Sequence, residues 1–436
     1  LDPKGNAAPG LASSWKYSPD GKTITFTLRS GLTFSDGTTL DAAAVKASLL
    51  RGRDLPDSRI ASQLAEVSSI DAPDPTTVVL HLSRTDYQIP NLLAGKTGMV
   101  VSPKAFNGDA AALATHPVGS GPFTLTSYVP DSHADLVRNP SYYDAKDIHL
   151  AKVSVKLISE PQQILAALQS NQVNVAVIPG NLVKAAQSAG FTINEIPALT
   201  TNTLDVNSAI APFNNHKVIE AINYAIDRQA LVDALEFGHG TPSYQPFPVG
   251  YVGYDPALAN LYPHDAAKAK QLLAEAGYPK GLTITLTTYT STGIPELLQS
   301  QLQQAGITVK LNVIPQAEFT NLVYVKKTVG IAVDSTAGRE SPLQMLDVLQ
   351  SPQGLMNLTA QQPEAVTQAV NAARGVPLDS PSYPAALKAA VDASVQQDDN
   401  HIWLYTYPRI LATNKKVTGL PYDLVVQRFD GTRIAN

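Results

Sequence analysis

The chain has 436 residues, of which 44% are hydrophobic and 16% charged, a balance that predicts globular domains and excludes a disordered chain. Its 32 Lys and Arg against 37 Asp and Glu leave a net charge of −5, which argues against a general nucleic-acid binder. The absence of Cys excludes disulfides, thiolate nucleophiles and Cys-ligated zinc or iron–sulfur sites, and no apolar run approaches the length of a membrane span.

In chain order, Lys22–Leu28 alternates polar and apolar residues and predicts a half-buried strand, with turns at Asp20-Gly21 and Ser35-Asp36-Gly37. Asp41 is the N-cap of a predicted helix over Ala42–Arg51, and Thr76–Leu82 is a second strand. A small α+β unit is expected to close near Pro117. Strands follow at Phe123–Tyr128, Ala134–Arg138, Val153–Leu157, Val173–Ile178, Thr192–Ile196 and Thr203–Val206, with helices at Pro161–Ser170 and Leu182–Ser188. Val218, Ile222, Ala225, Ile226 and Leu231 recur at helical spacing and predict one long amphipathic helix over Val218–Leu235. Beyond a Pro- and Tyr-rich loop, helices at Asp265–Ala276 and Pro295–Gln304 alternate with strands at Leu282–Thr288 and Ile307–Val313. That rhythm predicts an α/β domain. Pro384–Gln397 is a further helix, and Ile402–Tyr405 and Ile410–Thr413 are late strands. The sequence shows no internal repeat and no low-complexity tract.

Several motifs then fall into one order: Pro9-Gly10-Leu11-Ala12-Ser13-Ser14-Trp15, Ser18-Pro19-Asp20-Gly21-Lys22-Thr23, Phe34-Ser35-Asp36-Gly37-Thr38, Gly119-Ser120-Gly121-Pro122-Phe123, Arg138-Asn139-Pro140-Ser141-Tyr142-Tyr143, and Asn207 with Pro212-Phe213-Asn214-Asn215 and Tyr224-Ala225-Ile226-Asp227-Arg228. Each is weak alone. In this order, from Pro9 to about Thr413, the set resembles the family 5 solute-binding proteins of bacterial ABC importers, the dipeptide, oligopeptide and nickel group. Most of these residues have scaffold roles: turns at the Asp-Gly pairs, a loop anchor at Arg29, structural contacts at the end of a helix for Asp227-Arg228.

The resemblance implies an α/β fold of the two-lobed periplasmic-binding-protein type II, cluster C, with a small inserted α+β subdomain and a ligand cleft between lobes that close by a hinge. Residues 1–14, 119–207 and 405–436 would form lobe I, 15–118 its inserted subdomain and 208–404 lobe II. Gly119–Pro122 is expected to carry the chain across between lobes. The implied function is capture of a small solute, foremost a peptide or peptide-like compound, and delivery to an ABC transporter permease. Alternatives on the same scaffold are a non-peptide anion, an opine, an oligosaccharide or an aromatic acid, or a role as ligand sensor. The expected location is extracytoplasmic, periplasmic or as a cell-surface lipoprotein, and the expected state a monomer. Any membrane association would come through an upstream lipid anchor or the permease. Leu1 is not an initiator Met, which fits a trimmed chain with a leader or lipid-anchor Cys upstream, and only Leu1–Ala8 precede Pro9 where relatives carry a first strand.

Peptide-binding relatives hold the peptide amino terminus with an Asp in a Gly-Trp-x-x-Asp-like segment. Aligned on Pro342, Gly338 stands at that position, with Asp334 and Glu340 as the nearby acids. Arg339 brings a guanidinium suited to a carboxylate or phosphate. In the Tyr-rich loop (Tyr244, Phe247, Tyr251, Tyr254, Tyr262), Tyr244 and Gln245 are the candidates for ligand contact, since Tyr pairs an apolar face with a hydroxyl. Trp403 and Tyr405 are candidates for the cleft wall, with a core role as the alternative. The ligand-binding set is therefore Tyr244, Gln245, Arg339, Glu340, Trp403 and Tyr405. The eight His residues show no i, i+4 pair and no HExxH, so neither a metal nor a cofactor is expected. Gly-x-Ser-x-Gly, Walker-type loops and dinucleotide fingerprints are missing from the sequence, and no catalytic residues are assigned.

Overall fold

The computed structural model describes residues 1–2, 5–56, 58–197, 199–289, 293–422 and 427–435. They divide into two compact units, residues 1–196 with 410–436, and residues 197–409.

The first unit opens on a four-stranded antiparallel sheet ordered Ala12–Tyr17, Thr23–Leu28, Thr77–Leu82, Val67–Asp74. The alternation read in the sequence has its physical counterpart here: Ile24, Phe26 and Leu28 are buried while the Thr residues between them face outward. Helix Ala42–Asp54 covers that apolar face, and the Asp41 carboxylate accepts from the Ala44 amide at 2.9 Å. The Asp-Gly turns are built as expected. Asp36 accepts from Thr38 N at 3.0 Å, and Gly37 has φ +78°, a conformation that costs glycine nothing. Arg29 anchors the preceding loop by donating from Nε to the Gly10 carbonyl at 2.8 Å and lies over the Tyr143 ring. A three-stranded antiparallel sheet follows, Phe123–Val129, His133–Arg138 and Lys152–Lys156. Gly119–Pro122, expected to cross between lobes, instead lies inside this unit and leads from the four-stranded sheet to the three-stranded one, with the Gly119 carbonyl accepting from Ser35 N at 2.8 Å.

The second unit is a six-stranded mixed sheet between two helical layers. Its strand order is Thr241–Pro242, His401–Thr406, Thr201–Val206, Ile331–Thr336, Leu282–Thr288, Ile307–Val313. Strands Leu282–Thr288 and Ile307–Val313 run parallel, whereas Thr201–Val206 is antiparallel to both its neighbours. The unit reaches past residues 208–404 at both ends because the strands at 201–206 and 401–406 are hydrogen-bonded partners at the middle of its sheet.

One face of the sheet carries Leu204, Val206, Ile331, Val333, Ile402 and Leu404 into a core closed by helices His216–Ala225, Arg228–Leu235, Ala266–Glu275 and Ile294–Gln304. The other face packs Ala332 and Trp403 against Pro342–Gln350, Glu364–Arg374, Tyr383–Gln396 and the segment 316–325, which ends in a π-helical turn.

The long helix expected over Val218–Leu235 is two helices. Ile226 is extended (φ −92°, ψ 117°), and Asp227 caps the second helix by accepting from Ala230 N at 3.0 Å. Gln301 clamps the break from a neighbouring helix, accepting from Asp227 N at 3.0 Å and donating to its carbonyl at 3.1 Å. The apolar spacing continues across the break, which is why periodicity alone read it as one element.

Candidate ligand-binding site

The six candidate residues lie in the second unit, where they separate into two groups. The first is the turn after strand Ile331–Thr336. Here the chain must pass Leu199 closely: a Cβ on Gly338 would sit 2.4 Å from the Leu199 Cβ. The position that resemblance gives to an amine-binding Asp therefore has no room for a side chain in this packing. The next residue, Arg339, is half-buried and donates from Nη1 to the carbonyls of Ala337 at 2.9 Å and Gly338 at 3.3 Å. Burial lowers its pKa below the usual guanidinium value, and the charge of adjacent Glu340 opposes that shift. Glu340 is 7% exposed and faces Tyr251, whose hydroxyl is pushed up first by burial and then by the Glu340 charge. Tyr251 in turn packs against Phe247, centroids 5.6 Å apart with the rings tilted. A cation, a carboxylate and a phenol are thus collected at one turn, held by a close backbone contact and by helix Pro342–Gln350, which starts at its Pro.

The second group is a frame. Arg228 is buried and donates from Nε to the Trp403 carbonyl at 2.7 Å, from Nη1 to the Asn223 carbonyl at 3.1 Å and from Nη2 to Asn223 Oδ1 at 2.7 Å. Tyr244 covers this guanidinium, its ring centroid 4.4 Å from Cζ. Burial brings the Arg228 pKa down to about 10, with the Tyr244 interactions acting the other way. Gln245 is a loop staple: Nε2 donates to the Asp255 carbonyl and Oε1 accepts from the Asp255 amide, both at 2.8 Å. Trp403 is 4% exposed and stacks on His401 at 5.4 Å, while Tyr405 is 1% exposed in the opposite core beside Glu236. Both side chains are buried, Trp403 in one core of this unit and Tyr405 in the other.

Sequence reasoning missed a third cluster. The hydroxyl of Tyr324 hydrogen-bonds both Asp205 Oδ2 and Asp334 Oδ2. Across the sheet Asp205 is the partner of His401, and the His401 ring is within 2.9 Å of Asp398 Oδ2. Burial raises Asp205 to about 7, opposed by His401 and reinforced by Asp334. The available signal was an acid inside Thr-Asn-Thr-Leu-Asp-Val, in a strand buried on both faces.

In the first unit, an apolar cavity of about 340 Å³ lies among Trp15, Phe26, Leu49, Leu80 and Met99 and includes none of the candidate residues. Among the described residues no cluster of three or more His, Asp or Glu side chains could hold a metal ion, and no helix is long and apolar enough to cross a membrane.

Comparison with known proteins gives these features a family. The glutathione-binding protein GsiB of Salmonella paratyphi A is 32% identical over 312 residues, 69% of this chain; the chain spans 60% of that relative's length. Among solved structures, the PBP AgaA of A. tumefaciens R10 in complex with agropinic acid is 26% identical with a TM-score of 0.86, over 98% of this chain and 90% of the other. The ABC transporter-associated periplasmic binding protein DppA of Helicobacter pylori in complex with peptide STSA superposes with a TM-score of 0.87 at 24% identity, again over 98% and 90% of the two chains. The α/β fold is thus that of periplasmic binding proteins. Residues 6–356 match the model of the bacterial extracellular solute-binding proteins, family 5, and the chain belongs to that family.

Proposed function

We propose that the chain captures a peptide-like solute bearing carboxylates outside the cytoplasm and delivers it to the permease of an ABC importer. Family membership supports the binding role, and the names of the relatives support the cargo class: one binds glutathione and another was solved with agropinic acid. The observation that carries the cargo class is the turn at 338–340. It has no space for a carboxylate at Gly338 and offers the Arg339 guanidinium immediately beside it. A planar fork that uses Nη1 for its own backbone retains a second edge for a carboxylate. Glu340 supplies the counter-charge that an ammonium on the same solute requires. Arg339 and Glu340 are accordingly the proposed ligand contacts, with Tyr244, Gln245, Trp403 and Tyr405 holding the frame behind them.

Calorimetric titration with glutathione, a dipeptide, a tetrapeptide and agropinic acid tests this reading. A carboxylate-rich member of the panel should bind, and Arg339→Ala should weaken it about tenfold to a hundredfold, the worth of a charged hydrogen bond. Equal affinity of Arg339→Ala and the parent protein would remove Arg339 from the site. Preference for agropinic acid over every peptide would move the cargo to the opines.

A further inference from the structure

Strand Thr201–Val206 turns Thr201, Thr203 and Asp205 toward one face of the sheet, and strand Ile331–Thr336 turns Asp334 toward the same face, opposite Thr203. Tyr324, on the π-helical turn above that face, bonds Asp205 and Asp334 at once through its single hydroxyl. A phenol has one proton and can donate only one hydrogen bond. Two bonds from a phenol oxygen to two carboxyl oxygens therefore need a second proton, and a carboxyl must carry it.

The surroundings decide which carboxyl. Asp205 is 0% exposed, and its Oδ1 is buried without a hydrogen-bond partner among the described residues. Asp334 is only half-buried. An ionised, unpaired oxygen at full burial is the costlier arrangement, so the proton belongs on Asp205. The charges around it agree. His401 faces Asp205 across the sheet, but its cation is already matched by Asp398, and Asp398 and Asp334 both add negative charge on the Asp205 side. Tyr289 faces Asp334 from the neighbouring strand end and brings no cation.

We propose that Asp205, Tyr324 and Asp334 form a proton-dependent clamp that holds strand Ile331–Thr336, and with it the turn bearing Arg339 and Glu340, in place on the central strand. Tyr324 and Asp205 are positioning residues that act through Asp334. With the proton present, both bonds form. When it leaves, two carboxylates compete for one phenol proton, one bond is lost, and the strand end loosens. The elevation of Asp205 to about 7 places that event near neutral pH. Its relevance to cargo rests on the turn at 338–340 being the binding site; the clamp itself does not.

Hydrogen exchange of amides 331–341 in the ligand-free protein, corrected for intrinsic chemistry and taken from about pH 6 to about pH 8, tests the clamp without any ligand. The native protein should lose protection severalfold across neutrality in this segment and not in Leu282–Thr288. Asp205→Asn, whose amide donates as the protonated acid does, should keep the low-pH protection at every pH. Tyr324→Phe should show weak protection throughout. A profile shared by the native protein and Asp205→Asn would overturn the proposal, as would native-like, pH-dependent protection in Tyr324→Phe. Failure here would leave the Arg339 titrations standing, so the two readings fall separately.

Discussion

The two faces of strand Thr201–Val206 differ in the physics that holds them. Leu204 and Val206 pack among apolar side chains, Val218, Ile222, Leu298 and Ile331 among them. Thr201, Thr203 and Asp205, one residue away on the other face, sit among hydroxyls, carboxyls and an imidazole at the same depth of burial. The first face depends chiefly on volume. The second depends on matching donors to acceptors and on where a proton resides. Such a polar column stabilises only as far as its donors and acceptors are matched, because a partly satisfied buried network is costly.

The largest effect should come from the apolar face. Leu204→Ala removes a fully buried side chain and should cost the second unit about 3 kcal/mol in denaturant unfolding, equally at acid and neutral pH. Next, Gly338→Ala forces its new methyl against Leu199 Cβ at 2.4 Å and should cost about 2 kcal/mol; an unchanged midpoint would show that the turn has room to move.

The smallest effect separates the faces by pH. Asp205 stands at about 7, above its ordinary value of 3.8, so its contribution is complete below about pH 4 and is lost as pH rises toward 7. His401 shifts the same way: burial lowers it, but the charge and hydrogen bond of Asp398 outweigh that and raise it above 6.5, so its contribution too is lost as pH rises through the folded value. Unfolding of the second unit should therefore show falling stability between about pH 5 and about pH 8, and Asp205→Asn should flatten much of that slope.

Much of this fold was legible in the sequence where one face of an element meets water. Thr23–Leu28 alternates because only one side is buried, and Leu282–Thr288 and Ile307–Val313 were bounded by Gly281 and Gly306. Strand Ile331–Thr336 was not recognised. With both faces covered, Ile-Ala-Val-Asp-Ser-Thr has no alternation to read. The helix break at Ile226 was hidden because the spacing from Ile222 to Leu231 stays in phase while Asp227 acts as a cap. At the proposed site, the turn at 338–340 could be located from its neighbours in sequence. The clamp could not, because Asp205 and Tyr324 are 119 residues apart and only the register of the sheet and the π-helical turn brings them together. Tyr244 and Gln245 show the converse. Their residue types suit ligand contact, yet Arg228 and the Asp255 backbone engage them within the fold.

The proposed cargo is a carboxylate-bearing, peptide-like solute held at the Arg339 turn. Mass spectrometry of protein purified without added ligand tests it most directly, with native spectra giving the retained mass and the denatured extract its identity. The expected result is a noncovalent peptide-like carboxylate that is released unchanged and is lost from Arg339→Ala. A neutral sugar or a metal chelate retained equally by Arg339→Ala, or a compound that the pure protein converts, would contradict it.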